Sequence, residues 1–201
     1  MNRSKRISLT LLLVAALIAT GLFILEHYCP ASGIAFTKER REFHRLKNRT
    51  VLPQPSDFDA RVTLSNMVQA GDDESRWSDS RAAAVEGYVV SIGKARAELA
   101  NCYIGCDTHI HIALRPDAPP SQHMVLEVTP RMEEWAKRQG RDWSEQTLKT
   151  QLLGRWSRFE GWLFFDSHHA GESENIAPGT SGNWRATAWE IHPVTRIEVI
   201  R

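Results

Sequence analysis

Acidic residues and histidines recur in four short segments of this chain of 201 residues. These segments are DTHIHIAL at 107–114, VLEV at 125–128, FFDSHH at 164–169 and AWEIHPV at 188–194. Carboxylates and neutral imidazoles bind zinc, manganese and iron, and histidine exchanges protons near neutral pH. If the segments converge, they predict a cluster suited to a divalent metal or to general acid–base chemistry. The alternative is that these residues only cover the solvent-facing sides of strands.

Alternating hydrophobicity predicts which side of each strand these residues occupy, because side chains two apart in a strand point the same way. His109 and His111 alternate with isoleucines, Glu127 lies opposite the Met, Leu and Val of its segment, and Glu190 and His192 alternate with Trp and Ile. The predicted site comprises His109, His111, Glu127, Arg131, Asp166, His169, Glu190 and His192. A bound metal is predicted at His109, Asp166, His169, Glu190 and His192.

This cluster would lie on five β-prone segments, with helical segments between the third and the fourth. The strands are predicted at 82–92, 108–116, 124–130, 155–169 and 184–200, and the helical segments at 130–140 and 143–154. This order is typical of an all-β, five-stranded barrel of the OB type, in which a helix follows the third strand. Another small β-barrel or a β-sandwich is the alternative.

The N-terminus carries an export or membrane signal. Three cations in residues 1–6 precede an uncharged, apolar run at 7–25, which is about long enough to span a bilayer. We therefore expect a signal anchor at 1–30, a basic stalk and linker at 31–60, and a barrel domain at 61–201. The protein would span the inner membrane once and expose a periplasmic or extracellular domain. Cleavage near Ala31, Gly33 or Ala35 is the alternative and would give a secreted protein.

Composition and charge indicate a folded domain with an acidic balance. The chain is 42% hydrophobic and 24% charged, as is usual for globular proteins. Residues 1–49 carry nine Lys and Arg against three Glu, whereas residues 50–201 carry sixteen against twenty-one Asp and Glu. Non-specific affinity for nucleic acid comes mainly from Lys and Arg. General nucleic-acid binding is therefore not expected.

The segment NCYIGC at 101–106 holds two of the three cysteines. In an oxidising compartment Cys102 and Cys106 could form a disulfide that closes a short loop. Free thiols, a redox pair, or a zinc site completed by His109 and His111 are the alternatives. The spacing does not match the usual zinc pattern of two distant C-x2-C pairs.

Several blocks together resemble an uncharacterised family of exported bacterial proteins with OB-like domains that end in W-E-I-H-P-V-T. The blocks are GDDESRWSDSRAAAVEGYVV, NC followed by DTHIHIAL, VLEVTPR, EGWLFFDSHH and NWRATAWEIHPVT, and they cover about residues 62–199. The relatives tend to have C-N-C where this chain has CYIGC. More distant exported domains that end similarly imply a recurring set of residues: His109 or His111, Asp166, His169, Glu190 and His192.

Two functions are compatible with these features. The first is an extracytoplasmic, membrane-anchored module in which Arg131, Arg185, Trp162 and Trp184 receive a ligand or a partner protein. The second is a metal-dependent hydrolase of phosphodiesters, with Arg131 or Arg185 stabilising developing negative charge. The sequence contains no P-loop, nucleophile elbow or H-E-x-x-H motif, so it does not establish whether the protein is an enzyme.

Overall fold

The computed structural model describes residues 11–17 and 29–200, and residues 11–17 are helical. Across these two ranges, no helix has both the length and the apolar character needed to cross a membrane. Most of the apolar run at 7–25, on which the predicted signal anchor depends, lies outside the described residues.

Five strands form a closed barrel in the order β1-β2-β3-β5-β4. All neighbouring pairs are antiparallel except β3 and β5, which are parallel. The strands are β1 Ala82–Lys94, β2 Thr108–Ala113, β3 Met124–Val128, β4 Trp156–Phe165 and β5 Trp189–Val199. The helices are α1 Lys38–Lys47, α2 Leu64–Val68, α3 Pro130–Arg138 and α4 Glu145–Leu152. The predicted all-β barrel is confirmed, and its architecture is consistent with an OB-like barrel.

The helices α3 and α4 lie between β3 and β4 in the chain, as the sequence predicts. Pro130 occupies the first turn of α3, and the Thr129 hydroxyl caps it by accepting a hydrogen bond from the Met132 amide. Met132 of α3 and Leu148 of α4 are buried in the same apolar core as the inward-facing residues of the strands. The two helices thus pack against the apolar core of the barrel.

The fourth and fifth strands approach each other closely at Gly161. A Cβ atom at this position would collide with the carbonyl oxygen of Pro193, and the β4–β5 register shifts on both sides of Gly161. The peptide bond between His192 and Pro193 is cis. The glycine therefore lets β5 bend over β4 while Glu190 and His192 keep their place on the outer face.

The segment that precedes the barrel, predicted as a basic stalk and linker, packs against the barrel through α1. Phe43 lies edge-on to Phe164 of β4, with 4.9 Å between the ring centroids. The Asn48 side-chain amide donates to the carbonyl oxygen of Ala100 at 2.8 Å, and the Arg49 guanidinium donates to that of Leu163 at 2.8 Å. High charge predicts solvation from composition alone, but these polar groups find backbone partners on the barrel.

The disulfide joins Cys29 to Cys102, and Cys106 is a free thiol. The predicted Cys102–Cys106 pair is therefore wrong, and Cys102 is not available as a zinc ligand. Residues 29–34 run beside residues 99–102, where the Ile34 amide donates to the Leu99 carbonyl at 2.9 Å. This contact between distant parts of the chain brings Cys29 to Cys102.

Candidate functional site

Strand register brings the predicted acids and histidines together. His109 of β2 pairs directly with Glu127 of β3, and β3 meets β5 through Leu126 and Ile191. The residues next to that parallel pair are Glu127, Glu190 and His192. They share one outer face of the barrel, as the alternation of apolar residues predicts.

This outer face is buried, contrary to the alternative in which these residues only cover the surface. The residues Glu127, Glu190 and His192 are 4%, 1% and 0% exposed, respectively. Helix α1 and the loop at 166–188 lie over the face. An ionisable group removed from water needs partners, and the contacts described below supply them.

Arg185, a buried residue of the 166–188 loop, binds two of the carboxylates. Its guanidinium donates to Glu190 Oε1 at 2.5 Å and to Asp166 Oδ2 at 3.2 Å, and the residue is fully buried. The second Asp166 partner is His169, whose Nδ1 lies 2.7 Å from Oδ2. Sequence reasoning named Arg185 as a surface ligand-binding residue, but the structure makes it the internal counter-charge of the site.

The loop that carries Arg185 is fixed by Asp73, a buried residue of the segment before β1. Its carboxylate accepts hydrogen bonds from the Thr187 hydroxyl at 2.7 Å and the Ala188 amide at 2.9 Å. Its backbone carbonyl accepts from the Trp189 indole at 2.7 Å. Asp73 is thereby a structural residue that sets where β5 begins.

A chain of close polar contacts runs from β2 through β3 to β5. His109 Nε2 lies 2.9 Å from Glu127 Oε1, and His192 Nδ1 lies 3.2 Å from Glu127 Oε2. The same His192 Nδ1 lies 3.2 Å from Glu190 Oε2, with geometry suited to a hydrogen bond. Four of the predicted residues therefore form one connected network.

Three further members of the network were not predicted. Asp107 is buried, and its Oδ2 lies 3.9 Å from both His192 Nε2 and Lys47 Nζ. Lys47 reaches in from the end of α1 and donates to both oxygens of Glu98, at 2.7 and 2.8 Å. Asp107 directly precedes the histidines of β2, a spacing that could have suggested it. Lys47 and Glu98 carry no such signal, because they depend on how α1 docks.

These residues line a cavity of about 480 Å³, here called the acidic pocket. Its wall includes Trp184, whose indole N–H donates to a carboxylate oxygen of Glu172. The charged and imidazole residues that line it are Lys47, Arg96, Glu98, Asp107, His109, Glu127, Asp166, His169, Glu172 and Glu190. Carboxylates therefore outnumber permanent cations in this pocket.

Burial and neighbouring charges shift the pKa values of two buried carboxylates in opposite directions. Burial, with the charge of Glu127 added, raises the pKa of Asp107 well above its ordinary value. Burial alone would also raise the pKa of Glu127, but His192 and His109 hold it well below its ordinary value. The carboxylates thus compete for a small number of positive charges.

Two predicted site residues lie apart from the network. Arg131 donates to the carbonyl oxygen of Cys29 at 2.5 Å and lines a different pocket, so its predicted place in the cluster is wrong. His111 lies in a group of rings, 5.9 Å from His123 and 5.7 Å from Trp184 between centroids. Burial, aided by the charge of His109, lowers the pKa of His111 to about 4, so it is neutral at pH 7.

The predicted metal set is also only partly brought together. Asp166 and Glu190 are both held by Arg185, so a second cation would compete with its guanidinium for their oxygens. Among the residues that the structure describes, one group of three metal-ligating side chains lies within mutual reach: Asp107, Glu127 and His192. Of the five predicted metal ligands, His192 belongs to this group, and Asp107 and Glu127 complete it.

We expect the His169–Asp166 pair to stabilise the fold more at pH 5.5 than at pH 8.5. The hydrogen bond with Asp166 raises the pKa of His169 above 6.5, so its contribution is complete below 6.5 and is lost as the pH rises through the raised value. Because His169 is half-exposed, the difference should stay below about 1 kcal/mol. Urea unfolding of His169→Gln and the parent protein at both pH values measures it.

The neighbouring histidine supplies a control of opposite sign. Burial and the charge of Arg40 lower the pKa of His168, so its contribution is present above pH 6.5 and is lost as the pH falls. His168→Gln should therefore lower the free energy of unfolding more at pH 8.5 than at pH 5.5. An equal pH dependence of the two variants would contradict both assignments.

The chain was compared with known proteins. No protein-family model matches it, and a search of curated proteins gives no significant match.

Proposed function

We propose that this protein is an extracytoplasmic binding module whose acidic pocket takes a small cationic ligand. The observation that carries this proposal is the charge of the pocket lining: six carboxylates face two permanent cations, Lys47 and Arg96. Arg185 lies behind this lining and holds Asp166 and Glu190, and Lys47 is paired with Glu98. The negative charge that a ligand would meet is therefore that of Asp107, Glu127 and Glu172. A positively charged ligand would relieve the repulsion among carboxylates that are partly removed from water.

The proposed compartment is supported by the N-terminal region. Disulfides persist mainly in oxidising compartments, and the structure pairs Cys29 with Cys102. Processing near Ala31 or Ala35 would separate Cys29 from the chain that follows it. We therefore propose that the apolar run at 7–25 is retained as a single membrane anchor, with the barrel on the outer side of the inner membrane.

The alternative function, a phosphodiester hydrolase, meets an electrostatic obstacle in this pocket. A phosphodiester is an anion, and the surrounding carboxylates would repel it unless a bound cation intervened. Arg131, which would have stabilised negative charge, lies outside the pocket, and Arg185 is occupied by Glu190 and Asp166. Hydrolase activity therefore stays a prediction that depends on a metal.

Three probes of similar length and different charge test the proposed function. We expect 1,4-diaminobutane to bind the full-length chain in mild detergent, and neither 1,4-butanediol nor succinate to bind at the same concentration. Asp107→Asn should weaken diamine binding roughly tenfold, because it removes one buried charge without changing the shape of the side chain. Isothermal titration calorimetry measures each case.

The matched control is Asp117→Asn, since Asp117 is an exposed aspartate whose side chain is 80% accessible. This variant should bind the diamine as the parent protein does. Equal binding of the diamine and the diol, or equal loss in both aspartate variants, would overturn the proposed function.

A further inference from the structure

Asp107 and Glu127, which line the acidic pocket, and His192, which is buried next to them, each have one polar atom held by the protein and another left over. The Asn101 side-chain amide donates to Asp107 Oδ1 at 2.9 Å. His109 Nε2 lies 2.9 Å from Glu127 Oε1. Each contact fixes the orientation of a carboxylate and leaves its second oxygen, Oδ2 or Oε2, outside that contact; Glu127 Oε2 also lies 3.2 Å from His192 Nδ1.

The third side chain is oriented in the same way. His192 Nδ1 lies 3.2 Å from Glu190 Oε2 and donates a hydrogen bond to it when the proton is on Nδ1. That tautomer leaves a lone pair on Nε2. Metal-binding histidines commonly have this arrangement, in which a carboxylate accepts from the ring nitrogen that does not bind the metal.

Two of the three atoms left over are buried and make no hydrogen bond. Glu127 Oε2 and His192 Nε2 are inaccessible to solvent and accept or donate no hydrogen bond. Asp107 Oδ2 lies 3.9 Å from His192 Nε2, which is too long for a hydrogen bond. Buried polar atoms without partners are uncommon in folded proteins, and each one calls for an explanation.

The spacing of the three side chains suits a metal ion. One ligand atom from each of Asp107, Glu127 and His192 lies within 4.8 Å of the other two. Ligands about 2.0–2.2 Å from a tetrahedral ion lie roughly 3.4 Å apart, so side-chain movements of about 1 Å or less would complete the site. Lys47 does not block it, because its ammonium group is committed to Glu98 at 2.7 Å.

We infer that Asp107, Glu127 and His192 bind one divalent transition-metal ion, of the zinc or manganese type, where the lining of the acidic pocket meets the buried His192. One imidazole and two carboxylates suit these ions, whereas calcium takes six to eight oxygen ligands. The inference rests on the proposed function, since it names one cation that the pocket would hold. Three protein ligands also leave a coordination position for a group that enters the pocket.

The experiment uses the full-length chain, treated with chelator and kept in mild detergent. Zinc chloride should bind with a stoichiometry of one in isothermal titration calorimetry. Cobalt chloride should give the visible absorption bands of a low-coordinate site, which reports the ligand geometry independently of any activity. Asp107→Asn and His192→Gln should each weaken zinc binding by about 100-fold, and Glu190→Gln by about 10- to 100-fold through its loss of hold on His192.

Two further variants separate this site from unspecific binding. His111→Ala, a histidine on the same strand but outside the three ligands, should bind zinc as the parent protein does. Lys47→Gln should strengthen zinc binding, because it removes a positive charge 3.9 Å from Asp107 Oδ2. Circular dichroism confirms that each variant is folded, and Asp107→Asn, which preserves shape, serves if His192→Gln unfolds.

The outcomes distinguish this inference from the proposed function. Zinc binding that is lost in Asp107→Asn and retained in His111→Ala supports the metal site. If 1,4-diaminobutane binds but zinc does not, or if zinc binds equally to Asp107→Asn, the metal site is overturned and the cation-binding function stands. If neither probe binds, both are overturned.

Discussion

Replacing Arg185 by methionine is expected to lower the free energy of unfolding by about 3–5 kcal/mol, the usual consequence of removing one partner of a buried ion pair. Arg185 is fully buried and contacts Glu190 at 2.5 Å and Asp166 at 3.2 Å. Methionine fills much of the same space but leaves both carboxylates without their cation. Urea unfolding monitored by tryptophan fluorescence measures the loss.

Two comparisons identify the cause of that loss. Adding Glu190→Gln to Arg185→Met removes the stranded charge and should recover part of the stability. Arg115→Met should change the free energy of unfolding by less than about 1 kcal/mol, because Arg115 forms an exposed pair with Asp117. If the double variant is no more stable than Arg185→Met, the stranded charge is not the cause.

Replacing Cys29 by serine is expected to lower the free energy of unfolding by about 4 kcal/mol. The Cys29–Cys102 disulfide spans 73 residues, and the chain-entropy model gives a stabilisation of that size for a loop of this length. The loop includes α1, which carries Lys47 into the acidic pocket. Urea unfolding in the absence of reductant measures the effect.

The free cysteine provides the matched control. Cys106→Ser should leave the free energy of unfolding within about 0.5 kcal/mol of the parent protein, because Cys106 forms no disulfide. A reductant should bring the parent protein to the stability of Cys29→Ser and should leave that variant unchanged. A larger loss in Cys106→Ser than in Cys29→Ser would show that the pairing is wrong.

The barrel could be predicted from the sequence because each strand has a recognisable pattern over a few neighbouring residues. Isoleucine alternates with His109 and His111 over a few residues, and a strand has a period of two whatever surrounds it. Thr129 and Pro130 likewise mark the start of α3 through the backbone groups of its first turn. The placement of Glu190 and His192 on one face followed from the same alternation.

The site could be predicted only in part, because alternation assigns a face to a residue but gives neither its burial nor its neighbours. His109, Glu127 and His192 were named correctly as a group, whereas Arg131 was wrong. Asp107 lies one position before its strand, where parity no longer applies. Whether the face was exposed or buried depended on α1 and the 166–188 loop, and local sequence patterns do not predict where these segments pack.

Local patterns were enough to predict the order of the strands along the chain, the helices between β3 and β4, and the side of each strand that carries polar groups, because these depend on neighbours a few residues apart. Three contacts became visible only in the folded chain: the Cys29–Cys102 disulfide, the pairing of Arg185 with Glu190, and the pairing of Lys47 with Glu98. These contacts join residues that are distant in the chain or depend on how a loop folds back, and packing sets them. Because of these contacts, the polar face of the strands is covered and forms the wall of the acidic pocket.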